Sequence, residues 1–313
     1  MKASRKRQKT GAGFTIIELL TIMSIIVILM TILVPGMNKV KIYARDLKQR
    51  AQFHGISTAL ELFHSDYDDY PDSGGLDLAG VPYCGAIKLA EAMVGQDMEG
   101  FHRDSRFLAE RTTGAPASST TVLYNTEAFP IDDTLLSYNL QSRRRYLQVE
   151  TSNPNRLWEL YGRGNTGPFA EDLWVLSDVY PNIYHQETGD QVGTPILYYK
   201  ANRSKRNHST QMAGSSPGQT TNTYDHWDNH ELAGLPVPQE GLTHPLFEDL
   251  TAPPDPLELG LEHERGYIFY KMTRNKKLEP SLRPMRADSY ILWSAGNDGL
   301  YGTRDDILNF RED

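Results

Sequence analysis

One cysteine, Cys84, occurs in 313 residues, so no disulfide within the chain can brace it. A P-loop is also missing, which removes a common sequence signature of nucleotide-phosphate chemistry. Positive charge is in the minority: 32 Lys and Arg against 40 Asp and Glu leave a net charge of -8. That is the wrong sign for a nucleic-acid-binding chain, and no nucleic-acid partner is expected. A mean hydropathy of -0.50 excludes a polytopic membrane protein. No H-E-x-x-H occurs either. His226 and His230, four residues apart, would share a helix face as zinc ligands can, yet no third ligand accompanies them. What is present is 39% hydrophobic and 10% aromatic residues, enough for a core, with 25 Gly and 18 Pro that indicate long loops. The length allows one large domain or two small ones.

The N-terminus departs from these averages. Residues 1–13, MKASRKRQKTGAG, hold Lys2, Arg5, Lys6, Arg7 and Lys9 and no acid. Residues 14–34 then run FTIIELLTIMSIIVILMTILV with a single charge, Glu18. A helix of that length matches a hydrocarbon core of about 30 Å, and the basic flank predicts a cytoplasmic N-terminus. A secretory signal peptide has a shorter apolar region and a small-residue cleavage site. A plain signal anchor leaves Glu18 unexplained, because a carboxylate in such a run is costly without a partner or function.

The stretch Gly13-Phe14-Thr15-Ile16-Ile17-Glu18-Leu19-Leu20 resembles the type IV prepilin signature. The resemblance implies cleavage between Gly13 and Phe14 by a prepilin peptidase and N-methylation of the new terminal Phe14. Glu18 becomes the fifth residue of the mature chain and Pro35 the twenty-second, both as in the family. The family pairs this glutamate with the terminal amine of the neighbouring subunit, an attraction that low dielectric strengthens. Pro35 removes a helix hydrogen bond and is expected to kink or loosen the helix. Loss of the leader takes the net charge from -8 to about -13.

Small or apolar residues recur at Met37, Val40, Ala44, Leu47, Ala51, Gly55, Thr58 and Leu62, a helical spacing, with Ile56, Leu60 and Phe63 widening the stripe. The spacing predicts a stalk helix over 35–66 that continues the span of 14–34, about 75 Å long in all. Asp72-Ser73-Gly74-Gly75 after Pro71 is turn chemistry. Residues 67–313 form the head. Within it, 86–94 and 156–161 read as short helices, while 195–201, 266–271 and 289–294 read as strands rich in β-branched and aromatic residues. Residues 204–223 read as a mobile loop and 235–256 as a proline-rich connector. Arg143-Arg144-Arg145 reads as a solvated or salt-bridged turn that could also meet an anionic partner, and Cys84 as a semi-buried thiol.

The last 25 residues, and more weakly Leu62, Asp66 and Tyr70-Pro71, are similar to the major pseudopilins of type II secretion. In that subfamily the loop corresponding to 294–310 binds one Ca²⁺. The resemblance implies Asp298, Leu300 (through its carbonyl), Thr303, Asp305 and Asp306 as ligands, a mixture of oxygens that suits Ca²⁺. An acidic Asn-Asp-Gly turn without metal is the other reading, and Arg304 inside the loop puts Asp305 in most doubt. Residues 76–285 have no counterpart in that subfamily and are expected to be a family-atypical insertion, with 286–313 supplying the terminal strand and calcium-type loop.

The expected fold is therefore α+β: a long N-terminal transmembrane and amphipathic helix packed on a mainly antiparallel β-sheet head, pilin-like, with a large irregular insertion. The expected protein is a single-pass inner-membrane one with a periplasmic head. It is a non-enzymatic subunit of a type II secretion pseudopilus-like filament, and its partners are prepilin peptidase, other copies and other pseudopilins, and the inner-membrane secretion platform. A type IV pilus subunit, or a membrane-anchored periplasmic enzyme or binding protein, is the alternative.

Overall fold

The computed structural model describes residues 15–109, 123–125, 140–209, 218–238, 240–251, 266–278 and 283–310. The chain divides into two units, Met1–Arg45 and Asp46–Asp313. Helix α1 (Ile16–Tyr67) is 52 residues long and contributes to both.

Over Ile16–Val34, Glu18 apart, α1 carries apolar and hydroxyl side chains and is exposed. Fourteen large hydrophobic side chains between Ile16 and Val34 are each at least 47% exposed, Ile16 reaching 86%. The hydroxyls of Thr21, Ser24 and Thr31 turn back onto the carbonyls of Ile17, Leu20 and Ile28 at 2.7–3.0 Å.

Among the described residues, no helix is long and apolar enough to cross a membrane. The transmembrane segment expected over 14–34 is corrected accordingly, and with it the single-pass inner-membrane placement, cytoplasmic N-terminus and periplasmic head. The described apolar stretch starts at Ile16, carries Glu18 and three hydroxyl residues, and runs without a break into Lys39, Lys41 and Arg45 of the same helix.

In the second unit α1 buries Phe53, Ile56, Ala59, Leu60 and Phe63, each 3% exposed or less. These sit at the i, i+3, i+4, i+7 spacing of a core-facing stripe. The stripe expected through Leu47, Ala51, Gly55, Thr58 and Leu62 is rotated from this face: Leu47 is 58% and Leu62 45% exposed. Bulk decides the face, since two phenylalanines and two branched aliphatics remove more apolar area from water than alanine, glycine and threonine can. The helix ends where Asp68 takes a left-handed conformation (φ 58°), just ahead of Pro71.

Helix α2 (Gly85–Val94) lies at the centre, with all ten residues buried. The amphipathic pattern expected there is enclosed on its polar side as well. Lys88 pairs with Asp72 at 2.5 Å and donates to the Leu76 carbonyl at 3.0 Å. Glu91 accepts hydrogen bonds from the hydroxyls of Tyr83 (2.6 Å), Tyr124 (2.9 Å) and Ser105. Buried charges persist only when partnered in this way. Asn229 binds the start of α2 from 143 residues away: its side-chain carbonyl accepts from the Ala86 N–H at 2.8 Å, and its amide donates to the Tyr198 carbonyl at 2.7 Å.

The described strands form four small antiparallel sheets. β1 (Phe101–His102) pairs with β2 (Arg143–Arg144). Helix α3 (Val149–Ser152) leads into β3 (Pro154–Arg156), which precedes helix α4 (Leu157–Tyr161) and pairs with β4 (Trp174–Leu176). β5 (Ile183–Tyr184) and β6 (Gln191–Val192) form a hairpin. β7 (Leu197–Lys200), β8 (Tyr290–Ser294) and β9 (Ile307–Leu308) form the one three-stranded sheet described, in the order β7-β8-β9. All five residues of β8 are buried, with Leu197 opposite Trp293 and Lys200 opposite Tyr290.

This sheet corrects the expectation of an irregular insertion. β7 and α2 both fall inside 76–285, and β7 is the direct neighbour of the terminal strand β8. Residues 230–251 hold helices α5 (His230–Ala233) and α6 (Pro245–Thr251). The strand expected at 266–271 is helix α7 (Tyr267–Thr273), whose Phe269, Tyr270 and Thr273 are buried. Those three fall on one helical face against Trp293 and Tyr199, with ring centroids 5.9 and 4.8 Å from Phe269. Packing overrides the β propensity of its aromatics. The described part of 204–223 is tied down by a bridge between Asn207 and Asn222.

Candidate functional site

Two places gather the residues that the sequence singles out. The first is the start of α1. Gly13 and Phe14 lie outside the described residues. Thr15 and Glu18 form a reciprocal cap: the Glu18 carboxylate accepts from the Thr15 N–H at 2.9 Å and its hydroxyl at 2.7 Å, and the Thr15 hydroxyl accepts from the Glu18 N–H at 3.3 Å. This T-x-x-E arrangement satisfies two of the helix's orphan N–H groups. Pro35 lies inside α1, which passes through that position without a break.

The second is the loop between β8 and β9, whose fold follows from its glycines. Gly296, Gly299 and Gly302 all have positive φ, and a Cβ on Gly296 would meet the Asp305 carbonyl oxygen at 2.2 Å. With that freedom the loop folds back and brings all five expected ligands together. The Thr303 hydroxyl is the hub, 2.6 Å from Asp305 Oδ1, 3.4 Å from Asp306 Oδ1 and 3.3 Å from the Leu300 carbonyl oxygen. Asp298 accepts from the Leu300 N–H at 2.8 Å, and its own N–H donates to Asp305 at 2.9 Å. The other Asp306 oxygen, Oδ2, accepts from the Trp293 indole and the Gly302 N–H, each at 2.7 Å.

Burial raises the Asp298 carboxyl above the usual range, with Asp305 adding repulsion. Burial pushes Asp306 well above it, with Asp298 and Asp305 contributing. Asp305 is also desolvated, yet hydrogen bonds from Thr303 and the Asp298 N–H hold it below its ordinary value. Three carboxylates crowded in this way favour a cation. The loop's own donors hold several of these oxygens, and among the described residues no group of three or more His, Cys, Asp or Glu stands as a ready metal cage.

The remaining candidates have structural partners. His226 is fully buried, with Nδ1 3.1 Å from the Tyr270 hydroxyl. The His230 ring packs on Trp227 and Phe247, with centroids at 4.4 and 5.0 Å. Cys84 is buried, and burial pushes its thiol up to about 12, which leaves it unreactive. Arg143 and Arg144 lie in a strand rather than a turn. Arg143 pairs with Asp97 and Arg144 with Asp66, each at 2.5 Å, and Arg145 pairs with Glu99 at 3.2 Å.

Sequence reasoning missed Asp178, a fully buried carboxylate beside the terminal loop. It accepts hydrogen bonds from the Ser294 and Thr194 hydroxyls at 2.7 Å and from the N–H groups of Thr194 and Tyr180 at 3.1 and 3.2 Å. Burial carries it up to about 7. Its neighbours in sequence, Ser177 and Val179, give no signal of this role. No family model matches the chain, and no curated protein or solved structure is significantly similar to it.

Proposed function

We propose that this chain is a structural subunit of a pilin-like filament of the type II secretion class. It is cut between Gly13 and Phe14 by a prepilin peptidase, methylated on Phe14, and polymerised through the first part of α1 to support protein export. The observation that carries this reading is the unsheathed apolar helix. Fourteen large hydrophobic side chains stand open over Ile16–Val34, far more than a monomer leaves uncovered without purpose. Burying them against copies of the same helix gains on the order of 20 kcal/mol gross, before the cost of association.

Glu18 supplies register. In the isolated chain it caps its own helix through Thr15. In the filament it exchanges that cap for the terminal amine of a neighbouring Phe14, a charge pair strengthened away from water. The terminal loop braces the head, with Asp298, Asp305, Asp306, Thr303 and the Leu300 carbonyl as holders of one Ca²⁺. The ion's contribution there is to neutralise crowded carboxylates. A type IV pilus subunit would use the same helix and is the second reading.

The test is mass spectrometry of the protein isolated from its source, together with a Glu18→Ala variant. A chain beginning at methylated Phe14, and a variant that is cut but fails to assemble, are expected. An intact leader would overturn the proposal, as would normal assembly of Glu18→Ala.

A further inference from the structure

One cavity in the second unit is charged opposite to the chain as a whole. It measures about 550 Å³ and is bounded by Arg50 of α1, by α7 and by the terminal loop. Arg50, Lys271, Lys276 and Arg304 ring it, all exposed. The lining in between is apolar, including Ile268, Met272, Leu308 and Phe310. Asp306 is the one carboxylate in the lining, and it is already held by Trp293 and Gly302. Among the described residues, Arg50, Lys271 and Arg304 form no ion pair. Lys271 instead lies over the Tyr267 ring at 4.9 Å. On a chain with net charge -8, a cationic ring around an apolar floor calls for an acidic partner with an apolar anchor.

The same head carries a segment of that kind. The tip of the β5–β6 hairpin, residues 184–190, presents Glu187 and Asp190, both exposed and neither in an ion pair among the described residues. Tyr184 stands beside them, 50% exposed. The tip is ordered in advance. The His185 N–H donates to the Asp190 carbonyl at 2.8 Å, the Gly189 N–H to the His185 carbonyl at 2.9 Å, and His185 Nδ1 accepts from Glu187 and Thr188 at 3.2 Å. Pre-ordering reduces the entropy lost on docking. A second acidic, aromatic stretch, Asp66–Tyr70, is already engaged, Asp66 with Arg144 and Tyr146 and Asp69 with Lys200.

We propose that the β5–β6 tip of one copy docks into the Arg50/Lys271/Arg304 cavity of the next. The contact joins two different surfaces, so it is heterologous and repeats without closing unless the rotation forms a ring. It thereby gives the heads of the filament a head-to-tail contact independent of α1. The proposal rests on the filament reading for its setting and is tested separately from it. Isotopically light and heavy full-length chains are mixed in mild detergent and coupled with a zero-length carbodiimide reagent. Mixed-isotope peptides joining Lys271 or Lys276 to Glu187 or Asp190 are expected. Lys271→Glu with Arg304→Glu removes the amine at 271, and the Lys276 cross-links that remain possible should fall about tenfold. Mixing that variant with a Glu187→Lys, Asp190→Lys chain should restore coupling with the charges exchanged. Filaments that form without these cross-links, or a charge exchange that restores nothing, would overturn the contact and leave the filament reading standing. Cross-links without filaments would support the contact while removing the reading.

Discussion

Replacing Asp178 with asparagine separates a buried charge from the hydrogen bonds around it. In the folded chain burial holds this carboxyl near 7, against about 3.9 in an unfolded chain. The folded state therefore binds the extra proton between those values, and the stability it confers is present at low pH and lost as pH rises through about 7. Between pH 5 and pH 8 the group alone should remove about 2.5 kcal/mol, or roughly 6 °C in Tm for a chain of this size. His208 and His244 work in the opposite sense. Burial lowers them to about 3 and about 4, so their contribution is lost as pH falls below about 6.5. The comparison must accordingly be of the variant with the natural chain at each pH. The substituted side chain keeps an acceptor for the Thr194 and Tyr180 N–H groups, and the Ser294 and Thr194 hydroxyls can rotate to accept from its amide. Melting followed by near-UV circular dichroism from pH 5 to 8 should show the natural chain losing stability relative to Asp178→Asn by that amount. Parallel curves for the two chains would refute a buried Asp178 whose carboxyl is raised to about 7.

Gly85→Ala would place a Cβ 2.2 Å from the Tyr198 carbonyl oxygen, where backbone cannot yield, and should cost about 3 kcal/mol. Gly36→Ala, with nothing within 4 Å, should cost nothing, and equal denaturant midpoints for the two would contradict the packing of α2 on β7. Cys84, 1% exposed, should react with a maleimide only through opening of the head, and rapid labelling of the native chain would contradict its burial. For the terminal loop, Ca²⁺ at a hundredfold excess over Kd should add about 2.7 kcal/mol. Asp306→Asn should abolish the difference between melts in Ca²⁺ and in chelator, and a natural chain that melts identically in both would remove the ion.

The residues announce some of this architecture and hide the rest for physical reasons. The runs 86–94 and 289–294 are dominated by one kind of local preference, and both fold as read. The terminal loop is legible because three glycines and three aspartates lie within eleven residues, so the site is assembled by local chain geometry. The 267–273 segment is not legible, since β-prone aromatics fold as a helix once a face made of Phe269, Tyr270 and Thr273 meets Trp293. The buried face of α1 is misjudged where small residues at helical spacing imitate a stripe that Phe53, Ile56, Leu60 and Phe63 occupy. The apolar run 14–34 reads as a membrane span by its length, while no described helix is both long and apolar enough to cross one. Asp178, Glu91 and Asn229 escape altogether, because their partners lie up to 143 residues away in the chain and no local pattern marks them.

In the proposed filament, residues 16–34 are covered by copies of themselves. The most direct measurement is cryo-electron microscopy of filaments assembled by the natural chain. The expected result is a core of packed α1 helices in which Ile16–Val34 is enclosed and Glu18 lies beside the Phe14 amine of a neighbour. Filaments whose core excludes this segment, or a native protein that never leaves the monomeric state, would overturn the proposed filament.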